Sequence, residues 1–246
     1  MLRTITLFLI TLLLMLFINC ATDQQMSTLI EAALAGDHKT VQALLDKNPD
    51  LNAKSANGTT ALMYASQNGH NDIVRALLDK GADVNAKADN GRTALMYASS
   101  TGHIKIVQLL TDKGADIDAE DSNGETSLIL ACATNYGDIV KILMDKGANV
   151  NARTNSGGTA LFIAAQEGHD DIVKALLDKG ADVNIENNFG GTALMYASQN
   201  GHDNIVKELL DKGADVNIKA INGMTALGNA RNNNIVELLK EAGAKE

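Results

Sequence analysis

The heptapeptide TALMYAS stands at residues 60–66, again at 93–99 and again at 192–198. Related strings begin at Thr126 (TSLILAC), Thr159 (TALFIAA) and Thr225 (TALGNAR), and STLIEAA begins at Ser27, so every step is a multiple of 33 residues. A second string recurs in phase with it: DIVRALLDKGADVN from Asp72, KIVQLLTDKGADID from Lys105, DIVKILMDKGANVN from Asp138, DIVKALLDKGADVN from Asp171 and NIVKELLDKGADVN from Asn204. Residues 27–246 are therefore seven copies of one unit, the first and last atypical. Self-similarity at such a period marks a stacked-repeat architecture.

The physics of one unit can be read from residues 60–92. Thr60 precedes an apolar stretch, where its hydroxyl can accept from the first unpaired N–H groups of a helix. A two-turn helix is predicted over 61–68, with Leu62 and Ala65 on one face. Gly69 is suited to the left-handed residue that ends a helix. A second helix is predicted over about 72–80, with Ile73, Val74, Leu77 and Leu78 as its apolar stripe, and Gly81 closes it in the same way. Residues 82–92 carry Asn90-Gly91, a turn dipeptide. The unit is helix, helix and a hairpin-like finger. It is too thin to bury its own stripe and must stack on its neighbours.

Gly91-Arg92-Thr93-Ala94-Leu95-Met96-Tyr97-Ala98, followed by Gly102-His103 and Gly114-Ala115-Asp116-Ile117, resembles the ankyrin repeat, whose 33-residue unit carries a G-x-T-P-L-H-x-A signature. The resemblance spans 27–246 and implies an all-α ankyrin-repeat solenoid. The family's Pro is Ala or Ser here, and its His is Met63, Met96, Ile129, Phe162, Met195 or Gly228. The family's Thr–His hydrogen bonding is therefore expected to be absent, with apolar packing and adaptable Met side chains in its place. The end units read as caps. The first has Asn48-Pro49-Asp50-Leu51 for Gly-Ala-Asp-Val, and the last is three residues shorter between its helices.

Residues 1–20 read MLRTITLFLITLLLMLFINC. Arg3 precedes an apolar run over 5–18, shorter than the roughly 20 residues of a membrane-spanning helix and suited to a secretory leader. Phe17-Ile18-Asn19-Cys20 resembles a bacterial lipobox, in which cleavage leaves the Cys as first residue and its thiol is acylated. Phe17 and Asn19 depart from the usual Leu and Gly or Ala. The expected organisation is 1–19 signal peptide (or uncleaved anchor), 20–26 lipidated Cys20 and short tether, and 27–246 ankyrin-repeat domain. Either form places the chain on the exported side of a bacterial envelope, facing the periplasm or the cell surface.

The formal net charge is −9. Loss of the leader removes Arg3 and no acid, leaving 20 basic against 30 acidic residues, or −10. Such a balance argues against nucleic acid, which calls for a Lys/Arg footprint. The aromatic share of 3% fits a core one repeat thick, built of Leu, Ile, Val and Ala.

The residue types that carry chemistry fall into the scaffold. His70, His103, His169 and His202 share one repeat position, and adjacent repeats stand about 10 Å apart, whereas one zinc needs ligands about 2 Å away. Cys132 aligns with Ser66, Ser99, Ala165 and Ser198, a small-residue position suited to a packed, inert thiol. Asp116, Asp118 and Asp121 have the wrong spacing for an EF-hand. No nucleophile elbow, phosphate loop, HExxH or CxxC is present. No catalytic residue, metal, cofactor or small-molecule substrate is expected.

Ankyrin families bind proteins through finger tips and the concave face of the first helices. The resemblance therefore implies a partner protein, as yet unidentified. The positions that differ between units mark candidate contacts: Asp89, Asn90, Arg92, Ser122, Glu125, Asn188, Phe189, Ile221 and Met224 around the fingers, and Gln67, Ser100, Gln166 and Gln199 at the first-helix ends. Phe189, Ile221 and Met224 are apolar on neighbouring fingers, either a hot spot or ordinary exposed apolar residues. Tyr64, Tyr97 and Tyr196 share one first-helix position, where they pack between repeats or rim a binding face. The expected function is a non-enzymatic, membrane-tethered protein-interaction module. An alternative is an envelope protective or immunity-type factor, as in the periplasmic ankyrin proteins linked to catalase or to toxin neutralisation.

Overall fold

The computed structural model describes residues 28–245. The leader 1–19, Cys20, the tether to residue 26 and Ser27 lie outside the described residues. The chain divides into two compact units, one up to Ala94 and one from Leu95 onward. Each is built of helix pairs and turns, with no strand among the described residues.

The first unit holds α1 (28–35), α2 (His38–Leu45), α3 (Ala61–Gln67) and α4 (Asn71–Asp79). At the junction with the second unit begins α5 (Ala94–Thr101). There follow α6 (Ile104–Asp112), α7 (Ser127–Ala133), α8 (Gly137–Asp145), α9 (Ala160–Glu167), α10 (Asp170–Asp178), α11 (Ala193–Asn200), α12 (Asp203–Asp211) and α13 (Asn233–Glu241). The second helix of each pair starts a residue before its predicted place. Gly69, at φ +77°, turns the chain so that the His70 N–H returns to the Ala65 carbonyl. His70 is then the N-cap of α4, and Asn71 its first residue.

In the second unit α7 packs on α9 and α9 on α11, while each packs on its own partner, α8, α10 or α12. A first helix is thus enclosed on most sides. In α7 every residue from Ser127 to Cys132 is buried. Ala131, Ala164 and Ala197, one in each of these first helices, are fully buried. A second helix buries only its stripe; in α10 this is Ile172, Val173, Leu176 and Leu177.

Polar groups tie one repeat to the next at fixed offsets. The Asp182 N–H donates to Asn151 Oδ1 (2.9 Å) and the Asp215 N–H to Asn184 Oδ1 (2.8 Å), which explains the recurrence of D-x-N. Lys146, Lys179 and Lys212 reach Asp112, Asp145 and Asp178 at 2.7–2.8 Å. These exposed pairs are salt-screened and weak. The Lys212 hydrogen bond and charge hold the Asp178 carboxyl below its ordinary value. This contribution is complete above the usual Asp pKa and vanishes as pH falls through the lowered one.

Two expectations are corrected. The last unit has one helix, not two: residues 226–229 form turns only. Gly228 and Asn229 stand there in place of Met195 and Tyr196, and the residues after them are three fewer, so a two-turn helix has neither the propensity nor the length. The Thr–His replacement is also not purely apolar. Thr60 Oγ1 accepts from the Met63 N–H (3.4 Å), and Met63 Sδ accepts from the Thr60 N–H (3.5 Å), a capping box closed by sulfur.

One position tests the stacking. Gly168 has φ +80°, and a Cβ there would lie 2.6 Å from the His202 ring, whose Nε2 meets the Gln166 carbonyl at 3.1 Å. The equivalent residue one repeat earlier is Asn135, also left-handed at φ +61°, and there His169 Nε2 is buried without a hydrogen bond. Gly168→Ala is expected to lower the unfolding free energy by about 1–3 kcal/mol. Asn135→Gly should raise it by up to about 1 kcal/mol. Urea denaturation of the two variants checks both signs.

Candidate functional site

Each finger of the second unit is a turn closed by its own backbone. Asp121 N–H donates to the Glu125 carbonyl, Thr154 to Gly158, Asn187 to Gly191 and Ala220 to Met224, all at 2.9–3.1 Å. The side chain opening the turn caps it from inside: Asp121 Oδ1 accepts from the Asn123 and Glu125 N–H groups, and Asn187 Oδ1 from those of Phe189 and Gly191. Successive fingers are joined by Asn155 N–H to the Asn123 carbonyl, Asn188 to Ser156, and Ile221 to Phe189 (2.8–3.0 Å). The backbone at each tip is thus fixed, and residue 189 is left projecting.

Phe189 and Ile221 are 67% and 80% exposed, and Met224 is 39% exposed. They border a cavity of about 310 Å³, which Met195, Tyr196, Gln199 and Asn229 also line. The sequence accounts for this cavity. The final unit has Asn229 where its predecessor has Tyr196, and no first helix to pack against α11, so the next layer of side chains is thin. Met195, 2% exposed, forms the floor. Tyr196 packs edge-on against Phe162, with centroids 4.5 Å apart and planes at 60°, the inter-repeat packing expected of that position.

The tyrosine hydroxyl also has a reading. In the first unit Tyr64 Oη donates to Asn57 Oδ1, seven residues earlier (3.4 Å). Seven residues before Tyr196 is Phe189, whose side chain offers no acceptor, and Tyr196 Oη forms no hydrogen bond among the described residues.

The other candidates do not join this site. In the first unit Gln67 is exposed at the end of α3. Asp89 donates its N–H to the Asn57 carbonyl (3.2 Å), Asn90 Oδ1 accepts from the Arg92 N–H (3.1 Å), and Arg92 is half-buried. In the second unit Ser100 Oγ bonds the Tyr97 carbonyl (3.1 Å), and the exposed Ser122 gives its carbonyl to Asn155. Glu125 is half-buried in its turn. The Asn188 amide donates to the Asn155 carbonyl (2.8 Å), and that of Gln166 to Glu167 (3.1 Å). Those amides are spent within the scaffold; Gln199 and Asn229 form no side-chain hydrogen bond among the described residues.

A wider groove of about 530 Å³ in the first unit, between α2 and α4, is lined by His38, Asp72, Arg75, Asp79 and Lys80 among others. It is more open and carries both charge signs, so it selects no ligand class. Among the described residues no group of three or more His, Cys, Asp or Glu is placed to hold a metal. Asp118 Oδ1 accepts from the Asn149 N–H (2.9 Å), and Asp116 Oδ1 from that of Asp118 (3.2 Å). His70 Nε2 lies 3.3 Å from the Leu34 carbonyl. Cys132 is buried, and burial pushes its thiol far above the ordinary range, which leaves it an inert packing residue. No helix among the described residues is long and apolar enough to cross a membrane.

The family of ankyrin repeats (three copies) matches the chain over residues 7–88, 29–121, 85–154, 118–187 and 161–246. The chain belongs to the ankyrin-repeat family, an interaction scaffold, and its fold is an all-helical ankyrin-repeat solenoid. The crystal structure of the human ASB11 ankyrin repeat domain is similar to it at 26% identity with a TM-score of 0.80, covering 89% of this chain and 98% of that one. No curated protein matches the chain significantly.

Exposure and burial give the site a clear stability signature. Phe189→Ser and Ile221→Ser are expected to leave the unfolding free energy within about 0.5 kcal/mol of the parent. Met195→Ala, at the floor, should cost about 2–5 kcal/mol. Urea midpoints of the three variants check this.

Proposed function

We propose that this chain is a non-enzymatic protein-binding module, tethered to a bacterial envelope membrane through Cys20, that captures a partner protein with the fingers and first-helix ends of its last repeats. The observation that carries the reading is the grouping of Phe189, Ile221 and Met224, exposed and apolar, around one cavity. Elsewhere in the second unit the fingers end in Asn123 and Ser156. An apolar cluster with a polar surround is the composition of an interface hot spot. The tether rests on Arg3, the apolar run over 5–18 and the Cys that follows it. With the thiol of Cys132 buried, Cys20 is the one remaining candidate for acylation.

Two measurements test this. A photo-crosslinking residue at position 221, in cells carrying the full chain, is expected to trap one dominant protein that the same residue at Lys174, on the exposed face of α10, does not trap. Phe189→Ala should weaken that partner's binding at least tenfold, about 1.4 kcal/mol. Equal trapping at both positions, or an unchanged Kd, overturns the binding face. Radiolabelled palmitate is expected on the parent chain and absent from Cys20→Ala; label that persists in the variant overturns the tether.

A further inference from the structure

The cavity beside Phe189 constrains the chemistry of what enters it. Apart from the Tyr196 phenol, its lining holds no ionisable group. A carboxylate or ammonium entering it would shed water without meeting a counter-charge, which is costly. At about 310 Å³ the cavity lies at the small end of ligand sites, enough for one large side chain. Met195 and Met224 form part of its wall, and methionine adapts its shape to aliphatic and aromatic groups alike.

Three of the polar groups around this apolar floor are of one kind. Tyr196 Oη, the Gln199 amide and the Asn229 amide are neutral, each both donates and accepts, and none is engaged among the described residues. Asn222 differs, since its Oδ1 accepts from the Met224 N–H (3.1 Å) and its Nδ2 donates to Met224 Sδ (3.2 Å). Unengaged neutral groups ringing an apolar pocket complement an apolar side chain flanked by main-chain N–H and C=O groups. A free hydrocarbon would leave all three unpaired, and a lipid surface would press on Phe189 and Ile221 without using them.

We propose that this cavity receives a bulky, uncharged side chain, of the leucine or phenylalanine type, from an extended stretch of the partner polypeptide. Tyr196 Oη, Gln199 and Asn229 bind the main-chain amides on either side of it. The inference rests on the binding face proposed above and adds the chemistry of its anchor.

The test uses the full chain with methyl-labelled methionine, observed by NMR. The probes are N-acetyl-phenylalaninamide, N-acetyl-leucinamide, N-acetyl-lysinamide, N-acetyl-glutamic acid amide, toluene, and phosphatidylcholine–phosphatidylglycerol vesicles. The first two are expected to shift the Met195 and Met224 methyls saturably at millimolar concentration, leaving Met63, Met96 and Met144 in place; the lysine and glutamate probes should not. Tyr196→Phe combined with Asn229→Ala should weaken the two amide probes at least threefold and leave toluene unchanged. Absence of shifts, equal shifts from the charged probes, an indifferent double variant, or perturbation by vesicles alone would each overturn the proposal. A partner trapped at position 221 without these shifts sinks the anchor chemistry alone. Shifts with no trapped partner sink the binding reading instead.

Discussion

The structure depends on one constraint: two helices of seven to nine residues cannot bury their own apolar surface. Such helices are marginal in water, so their stability comes from the neighbouring repeat. Within the second unit this contact is made by α7, α9 and α11, each with a fully buried alanine, Ala131, Ala164 or Ala197. The rest follows from keeping that contact regular. Left-handed glycines follow the first helices except α7, which Asn135 follows, and at Gly168 the turn leaves room for the His202 ring. The D-x-N and Lys–Asp pairs repeat because each joins a residue to one about 31–34 positions away. Even the charged residues of DKGAD are scaffold, which is why their recurrence carried no functional signal.

The same constraint explains where the array stops being regular. The unit that begins at Thr225 has turns over 226–229 in place of a first helix, with Gly228-Asn229 where the unit before has Met195-Tyr196. The unit before it still presents the side chains of an internal repeat. The cavity beside Phe189 is the mismatch between a full repeat and an abbreviated one.

Much of the fold was legible in the sequence because a 33-residue period multiplies each weak local signal. One Thr before an apolar pair is a poor helix start; Thr60, Thr126, Thr159 and Thr192 in register are a strong one, and each caps its helix. Less legible was what depends on geometry between units. The sulfur of Met63 as an acceptor and the His169 Nε2 left without a hydrogen bond both turn on distances that a repeat alignment does not carry. Of the candidate contacts, Phe189, Ile221, Met224 and Gln199 come together at one cavity. Asn188 and Gln166 do not, because their amides find partners within the scaffold, and substitution between repeats cannot distinguish a free amide from an engaged one.

That distinction bears on how such arrays acquire partners. A polar residue that varies between repeats can be neutral only if its neighbours tolerate the change. Positions 155 and 188, whose amides clamp the preceding finger, are held by the stack. Residue 189 is freer: its backbone is fixed by Asn187 Oδ1 and by the next finger, while its side chain touches little enough to remain 67% exposed. Placing Phe there costs the scaffold a Tyr–Asn hydrogen bond of the kind Tyr64 makes, a small loss at an exposed site. It gains a projecting aromatic ring and a released hydroxyl in the same place. Phe189 thus sets a projecting aromatic ring beside the unengaged Tyr196 hydroxyl, while its backbone keeps the contacts that join the fingers.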